Sequence, residues 1–125
     1  MNVADSSAWL EYFADGPNAG RFAPAIEDVD RLIVPSICLL EVFKRVLQQR
    51  GEQEGLQAIA LMQQATVENL TAEIALAAAR LSFDLKLPLA DSVVLATSRK
   101  HEAVLWTQDS DFDGIDGVKY FAKKK

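Results

Sequence analysis

Cysteine and histidine are nearly absent. The 125 residues hold one of each, Cys38 and His101. A lone thiol closes no internal disulfide and leaves no second soft ligand for a zinc motif, so a disulfide scaffold and a structural zinc site are both excluded. A reducing cytoplasm is the compartment expected for such a chain. Long apolar runs are missing too: no stretch reaches the roughly 18 residues of a bilayer span, and the opening Met1-Asn2-Val3-Ala4-Asp5 shows no basic patch leading into an apolar segment. Neither membrane insertion nor secretion is expected. Positive charge is in deficit, with 13 Lys and Arg against 18 Asp and Glu, a formal net charge of −5. That balance excludes a protein binding nucleic acid by electrostatics alone, because counterion release needs a basic face. A nucleic-acid substrate would require local neutralisation, as by a divalent cation. Repeats and low-complexity tracts are absent apart from Lys123-Lys124-Lys125, which reads as a solubilising end.

What remains is the composition of an ordinary globular domain, 50% hydrophobic and 25% charged. One domain over residues 1–125 is expected, and a chain of this size buries roughly two thirds of its unfolded surface without a covalent or metal staple. Val3 and Ala4 read as a first strand, and Asp5-Ser6-Ser7 offers capping oxygens to a helix through Phe13. Gly16-Pro17-Asn18 breaks the chain before a short helix ending near Ile26. Arg31 to Val34 predicts a second strand; Pro35 and Ser36 then launch a helix with Leu39, Val42, Phe43, Val46 and Leu47 at helical spacing. Further helices are expected from about Gln53 to Gln64, from Thr71 to about Phe83, and from Ala90 to about His101, with strands at Thr66 to Leu70, Ala103 to Trp106 and Val118 to Phe121. Strands alternating with helices predict an α/β three-layer sandwich around a mainly parallel sheet.

In such sheets functional groups collect where strands end and the next helix begins. Asp5 follows the first strand, Asp109 follows Val104-Leu105-Trp106-Thr107, and Asp91 lies in the first turn of the helix after Pro88. Each also suits a plain capping or turn role, for which Asp is favoured. Glu41 differs, because it sits one turn inside a helix between Leu40 and Val42, where no cap is needed. An acid there must reach solvent, pair with Lys44 or Arg45 one turn on, or bind a cation. Asp91 poses the same question within Leu87-Pro88-Leu89-Ala90-Asp91-Ser92-Val93. Four carboxylates without a histidine or thiolate make a hard-oxygen set suited to Mg²⁺ or Mn²⁺. Held close they repel one another until an ion neutralises them, so metal should stabilise the fold.

Asp5-Ser6-Ser7, Leu40-Glu41-Val42, Ala90-Asp91-Ser92 and Trp106-Thr107-Gln108-Asp109-Ser110-Asp111, in that order, give the chain its resemblance to a PIN-domain ribonuclease of the VapC toxin type. The resemblance covers essentially the whole length. It implies that Asp5, Glu41, Asp91 and Asp109 coordinate the metal, that the Ser7 hydroxyl orients Asp5 or a bound water, and that Thr107 is the hydroxyl of a Thr-x-Asp element. Asp111 stands between an extra ligand and a turn residue. The resemblance further implies a cognate antitoxin, a homodimer, and metal-dependent cleavage of structured RNA in the cytoplasm. A catalytically inactive PIN-like binding module is the alternative, and it predicts a missing acid where all four are present. A haloacid-dehalogenase phosphatase needs a second Asp where Ser7 stands, and a receiver domain needs an adjacent acidic pair after the first strand. Of the remaining polar residues, His101 reads as a surface group; Lys44, Arg45, Arg99 and Lys100 read as solvated helix faces, or else as phosphate contacts beside the site. Trp9 and Trp106 read as core or interface, with base stacking the other use.

Overall fold

The computed structural model describes residues 1–124; of the terminal lysines only Lys125 lies outside. Five short strands, β1 (Asn2–Ala4), β2 (Leu32–Pro35), β3 (Thr66–Glu68), β4 (Val104–Thr107) and β5 (Val118–Tyr120), form one sheet in the order β3-β2-β1-β4-β5. Every pairing is parallel, with Asn2 beside Leu32 on one flank and Ala4 beside Trp106 on the other. Parallel strands need crossovers. Here these are six helices that flank the sheet: α1 (Ser6–Phe13), α2 (Ala19–Ile26), α3 (Ser36–Arg50), α4 (Glu52–Met62), α5 (Ala72–Leu85) and α6 (Leu89–Lys100). Short 3-10 turns at Val29–Arg31 and Ser110–Phe112 complete the path. The α/β sandwich expected from the alternation is the fold observed, with a fully parallel sheet.

Covering the sheet with helices explains why the inner strands read as unbroken apolar runs rather than alternating ones. Val3 and Ala4 are buried, and so is every residue of β2. Trp9, Phe22, Val42, Met62, Val94, Leu95 and Phe112 close over them into one core, while Ile74, Ala78 and Ala96 make a small second cluster between α5 and α6. Gly51, at φ 93°, permits the sharp turn from α3 into α4. One turn on, a Cβ at Gly55 would stand 2.9 Å from the Phe43 ring, so the absence of a side chain sets the approach of the two helices.

Element ends moved by one or two residues for local reasons. The strand expected over Thr66 to Leu70 stops at Glu68, because the Leu70 amide turns to the Ser36 hydroxyl at 3.3 Å and Thr71 caps α5. The strand expected to end at Trp106 includes Thr107, which still pairs with Tyr120. Helix α5 continues to Leu85 and ends on Lys86 in the left-handed region, φ 57°. No helix among the described residues is long and apolar enough to cross a membrane.

Candidate active site

The strand order reverses between β1 and β4, and the chains leaving their carboxyl ends diverge there, opening a crevice. Asp5 is the first residue beyond β1 and is anchored to β4 by its amide, which donates to the Trp106 carbonyl at 3.2 Å. Its side chain caps α1 by accepting from the Ala8 amide at 3.0 Å, so the ordinary capping role is real. The cap occupies only part of the carboxylate. Ser7 Oγ donates to Oδ1 at 2.7 Å and Thr107 Oγ1 donates to Oδ2 at 2.6 Å. These two hydroxyls lie 3.3 Å apart, but each proton is already directed at Asp5. Their lone pairs accept from β4's continuation instead: the Gln108 amide donates to Ser7 and the Asp109 amide to Thr107. Asp5 is thereby locked to the strand that delivers Asp109.

Asp109 caps the second 3-10 turn, accepting from the Asp111 amide at 2.9 Å, and the buried Phe112 pins that turn to the core. Asp91 arrives from elsewhere. Leu87 is buried between α5 and α6, Ser82 donates to its carbonyl at 2.7 Å, and Pro88 starts the new helix, so Asp91 falls in the first turn of α6. One carboxylate oxygen from each of Asp91, Asp109 and Asp111 lies within 4.8 Å of the others. Glu41, half-buried on α3, accepts from Ser6 Oγ at 2.7 Å rather than pairing with Lys44 or Arg45. Ser6, the residue beside Asp5, thus ties Glu41 to the start of α1.

Burial decides the electrostatics here. Three hydrogen bonds favour ionised Asp5, and it sits at a helix N-terminus, yet loss of solvent raises its pKa to about 6, with Asp109 adding repulsion. Asp91 is pushed to about 7, first by desolvation, then by Asp109, Asp5, Asp111 and Glu41. Beneath them the buried Cys38 thiol is driven far up by desolvation and stays a neutral floor. Ion pairs among the described residues join Arg50 to Glu54 and Lys100 to Glu68 and Glu73, with His101 3.5 Å from Glu68; none reaches the acids of the crevice. A converging set of hard oxygens without a cationic partner fits a divalent metal of the magnesium or manganese kind.

The structure brings the expected acids to one crevice, but not on equal terms. Asp111, left open by the sequence, is exposed and joins half-buried Asp91 and Asp109 in the tightest group, whereas buried Asp5 and half-buried Glu41 lie outside that group and are held by hydroxyls. Ser7 and Thr107 both donate to Asp5; the sequence suggested that contact for Ser7, and gave Thr107 only as the hydroxyl of a Thr-x-Asp element. Arg99 and Lys100 do not flank the site: they end α6, more than two turns from Asp91, and Lys100 is held by Glu68 at 2.8 Å. His101 is half-buried beside Glu68 rather than free on the surface. Trp9 is core, stacked on Phe13 with centroids 5.5 Å apart, and the Trp106 indole donates to Asn2 at 3.0 Å. Sequence reasoning passed over Asn18. It is fully buried, with Nδ2 donating to Gln108 Oε1 at 3.1 Å and to the Ala122 carbonyl at 3.0 Å. No local pattern marks it, since an Asn after Gly-Pro reads as a chain break.

Strand order, carboxylate crevice and hydroxyl supports together define an α/β domain with a cluster of acids at its topological switch point. The PIN domain family profile matches residues 3–118, and the chain belongs to that family. No curated protein matches it by sequence. Among solved structures it is similar to a toxin–antitoxin complex from Klebsiella pneumoniae, with a TM-score of 0.82 and 25% identity over 99% of this chain and 100% of that one. It is also similar to VapC20 of Mycobacterium tuberculosis, described as a toxin cleaving the sarcin-ricin loop, at TM-score 0.77 and 18% identity over 93% and 95% of the two chains. A further similar structure is VapBC-1 from nontypeable Haemophilus influenzae, at TM-score 0.71 and 19% identity over 97% of this chain and 96% of that one.

Proposed function

We propose that this protein is a Mg²⁺- or Mn²⁺-dependent endoribonuclease, the toxin of a type II toxin–antitoxin pair. The observation that carries the proposal is the group formed by half-buried Asp91 and Asp109 with exposed Asp111, in which desolvation and the neighbouring acids hold Asp91 at about 7 and no basic partner is present among the described residues. Asp91 and Asp109, with Asp5, Glu41 and Asp111 around them, would hold the ion. Such an ion supplies an activated water and neutralises a phosphodiester's developing charge. The chain's own part is positioning. Thr107 and Ser7 direct Asp5 and, through the Asp109 and Gln108 amides, fix the loop after β4. Ser6 holds Glu41, so Asp5 and Glu41 each have hydroxyl support. No side chain is needed as nucleophile.

Likeness to toxin–antitoxin complexes supports a cognate antitoxin as partner, and we extend the reading to a homodimer acting in the cytoplasm. The test expresses wild type and Asp91→Asn in a bacterium and sequences RNA 5′ ends. Growth arrest with new 5′ ends in the wild type alone is expected. Equal arrest by both would reject hydrolysis and leave the inactive binding module.

A further inference from the structure

On the β5 side of the crevice a cavity of about 250 Å³ opens, lined by Gln108, Asp109, Ser110, Tyr120 and Lys123. Asp109 is its wall toward the metal-binding acids. The other four side chains all offer hydrogen-bond donors. Gln108 turns its oxygen inward to Asn18, which leaves its two N–H groups unspent. Among the described residues the Ser110 and Tyr120 hydroxyls and the Lys123 ammonium have no hydrogen-bond or ion-pair partner. Lys123 is also no loose tail. Asn18 ties the preceding carbonyl, that of Ala122, to Gln108, and the Phe121 amide donates to the Thr107 carbonyl at 2.9 Å. The Phe121 ring packs edge-on against the buried Phe22, with centroids 5.7 Å apart. One buried amide therefore joins both walls of the cavity.

We propose that this cavity is a phosphate subsite: it takes the phosphodiester adjacent to the one held at the acids, with Lys123 as counter-charge and Tyr120, Ser110 and Gln108 as donors. The proposal rests on the ribonuclease reading and adds where the RNA backbone lies. A protein of net charge −5 with a crevice of carboxylates repels RNA, so attraction must be supplied locally, and a donor-rich cavity sharing Asp109 supplies it at the right place. At about 250 Å³ it falls below the roughly 300 Å³ at which whole small-molecule sites begin, which suits one unit of a chain passing through.

The probe is a fluorescein-labelled, random-sequence 12-nucleotide RNA. Cleavage is measured with Mn²⁺ in the otherwise wild-type chain, and binding by anisotropy in an Asp91→Asn host. Lys123→Ala should raise KM about five- to tenfold with kcat within about twofold, and lower the slope of log Kd against log salt by about 0.7, the share of one single-strand phosphate contact. Tyr120→Phe should raise KM about threefold, and Lys123→Arg should restore it. Arg80→Ala, an equal charge change on the exposed face of α5, should leave KM unchanged. Cleavage by the wild type with KM and salt slope unmoved in Lys123→Ala and Tyr120→Phe overturns the subsite and spares the ribonuclease reading. An equal loss in Arg80→Ala also overturns it, by assigning the effect to overall charge. No cleavage by the wild type together with no binding by the Asp91→Asn host rejects both readings.

Discussion

Replacing Asp91 by Asn should stabilise the metal-free protein and abolish its response to metal. Folded Asp91 keeps its proton up to about pH 7, whereas an unfolded Asp loses it near 3.8. Between those values the native state binds more protons than the unfolded one, so stability falls as pH rises from about 4 to about 7, and the full cost is present above 7. Asp5, raised to about 6, adds to the same trend. A carboxyl held at about 7 instead of 3.8 represents about 4 kcal/mol at about 1.4 kcal/mol per pH unit, and because Asp91 is only half-buried, solvent screening brings the expected figure to about 2 kcal/mol. Asn keeps the shape without the charge. In EDTA at pH 8 the variant should therefore melt about 8 °C higher, taking about 4 °C per kcal/mol for a domain of this size. At pH 4.5 most of that gap should be gone. Mn²⁺ at about a hundred times its Kd adds about 2.7 kcal/mol to the wild type, which reverses the order of the two proteins. Differential scanning fluorimetry of both, with EDTA and with Mn²⁺ at each pH, gives the complete comparison. A variant less stable than wild type in EDTA at pH 8, or a gap independent of pH, would refute the placement of Asp91 among uncompensated acids.

Thr107→Val removes the donor to Asp5 and the acceptor of the Asp109 amide inside a buried network; about 1–3 kcal/mol of stability should be lost in urea denaturation, and Mn²⁺ affinity by calorimetry should fall about 10- to 100-fold. Phe112→Ala should cost about 3–5 kcal/mol, because the ring is fully buried beneath the turn that carries Asp109 and Asp111; a loss below about 1 kcal/mol would deny it that role. Lys86→Gly should raise stability by about 0.5–1 kcal/mol, since Lys86 caps α5 at φ 57°, where a Cβ is unfavourable, and an unchanged or lower denaturation midpoint would contradict this. Asp5→Asn should lose the metal-induced rise in melting temperature, and a full rise in that variant would remove Asp5 from the site.

How much was legible beforehand differs from residue to residue. The alternation of β-branched runs with amphipathic segments determined the α/β class, because a period of two or continuous burial and a period of 3.6 are local signals. Asp5 and Asp109 announced themselves by standing at strand ends, and Glu41 by interrupting an apolar helix face where no cap is called for. These are properties of short windows, readable without knowing what lies across the sheet. The strand order was not of that kind. Only the tertiary structure set β1 beside β4, and this pairing lets Thr107 bond Asp5 across 102 positions of chain. It also decided grouping: the Phe112 turn brings a carboxylate oxygen of exposed Asp111 within 4.8 Å of those of Asp91 and Asp109, while Arg99 and Lys100 stand at the far end of α6. Asn18 and the cavity it braces left no trace in any window, since their partners come from three separate stretches of chain. Residue type and periodicity are written along the chain; the distance between an Asn at 18, an amide at 108 and a carbonyl at 122 exists only once the core has closed.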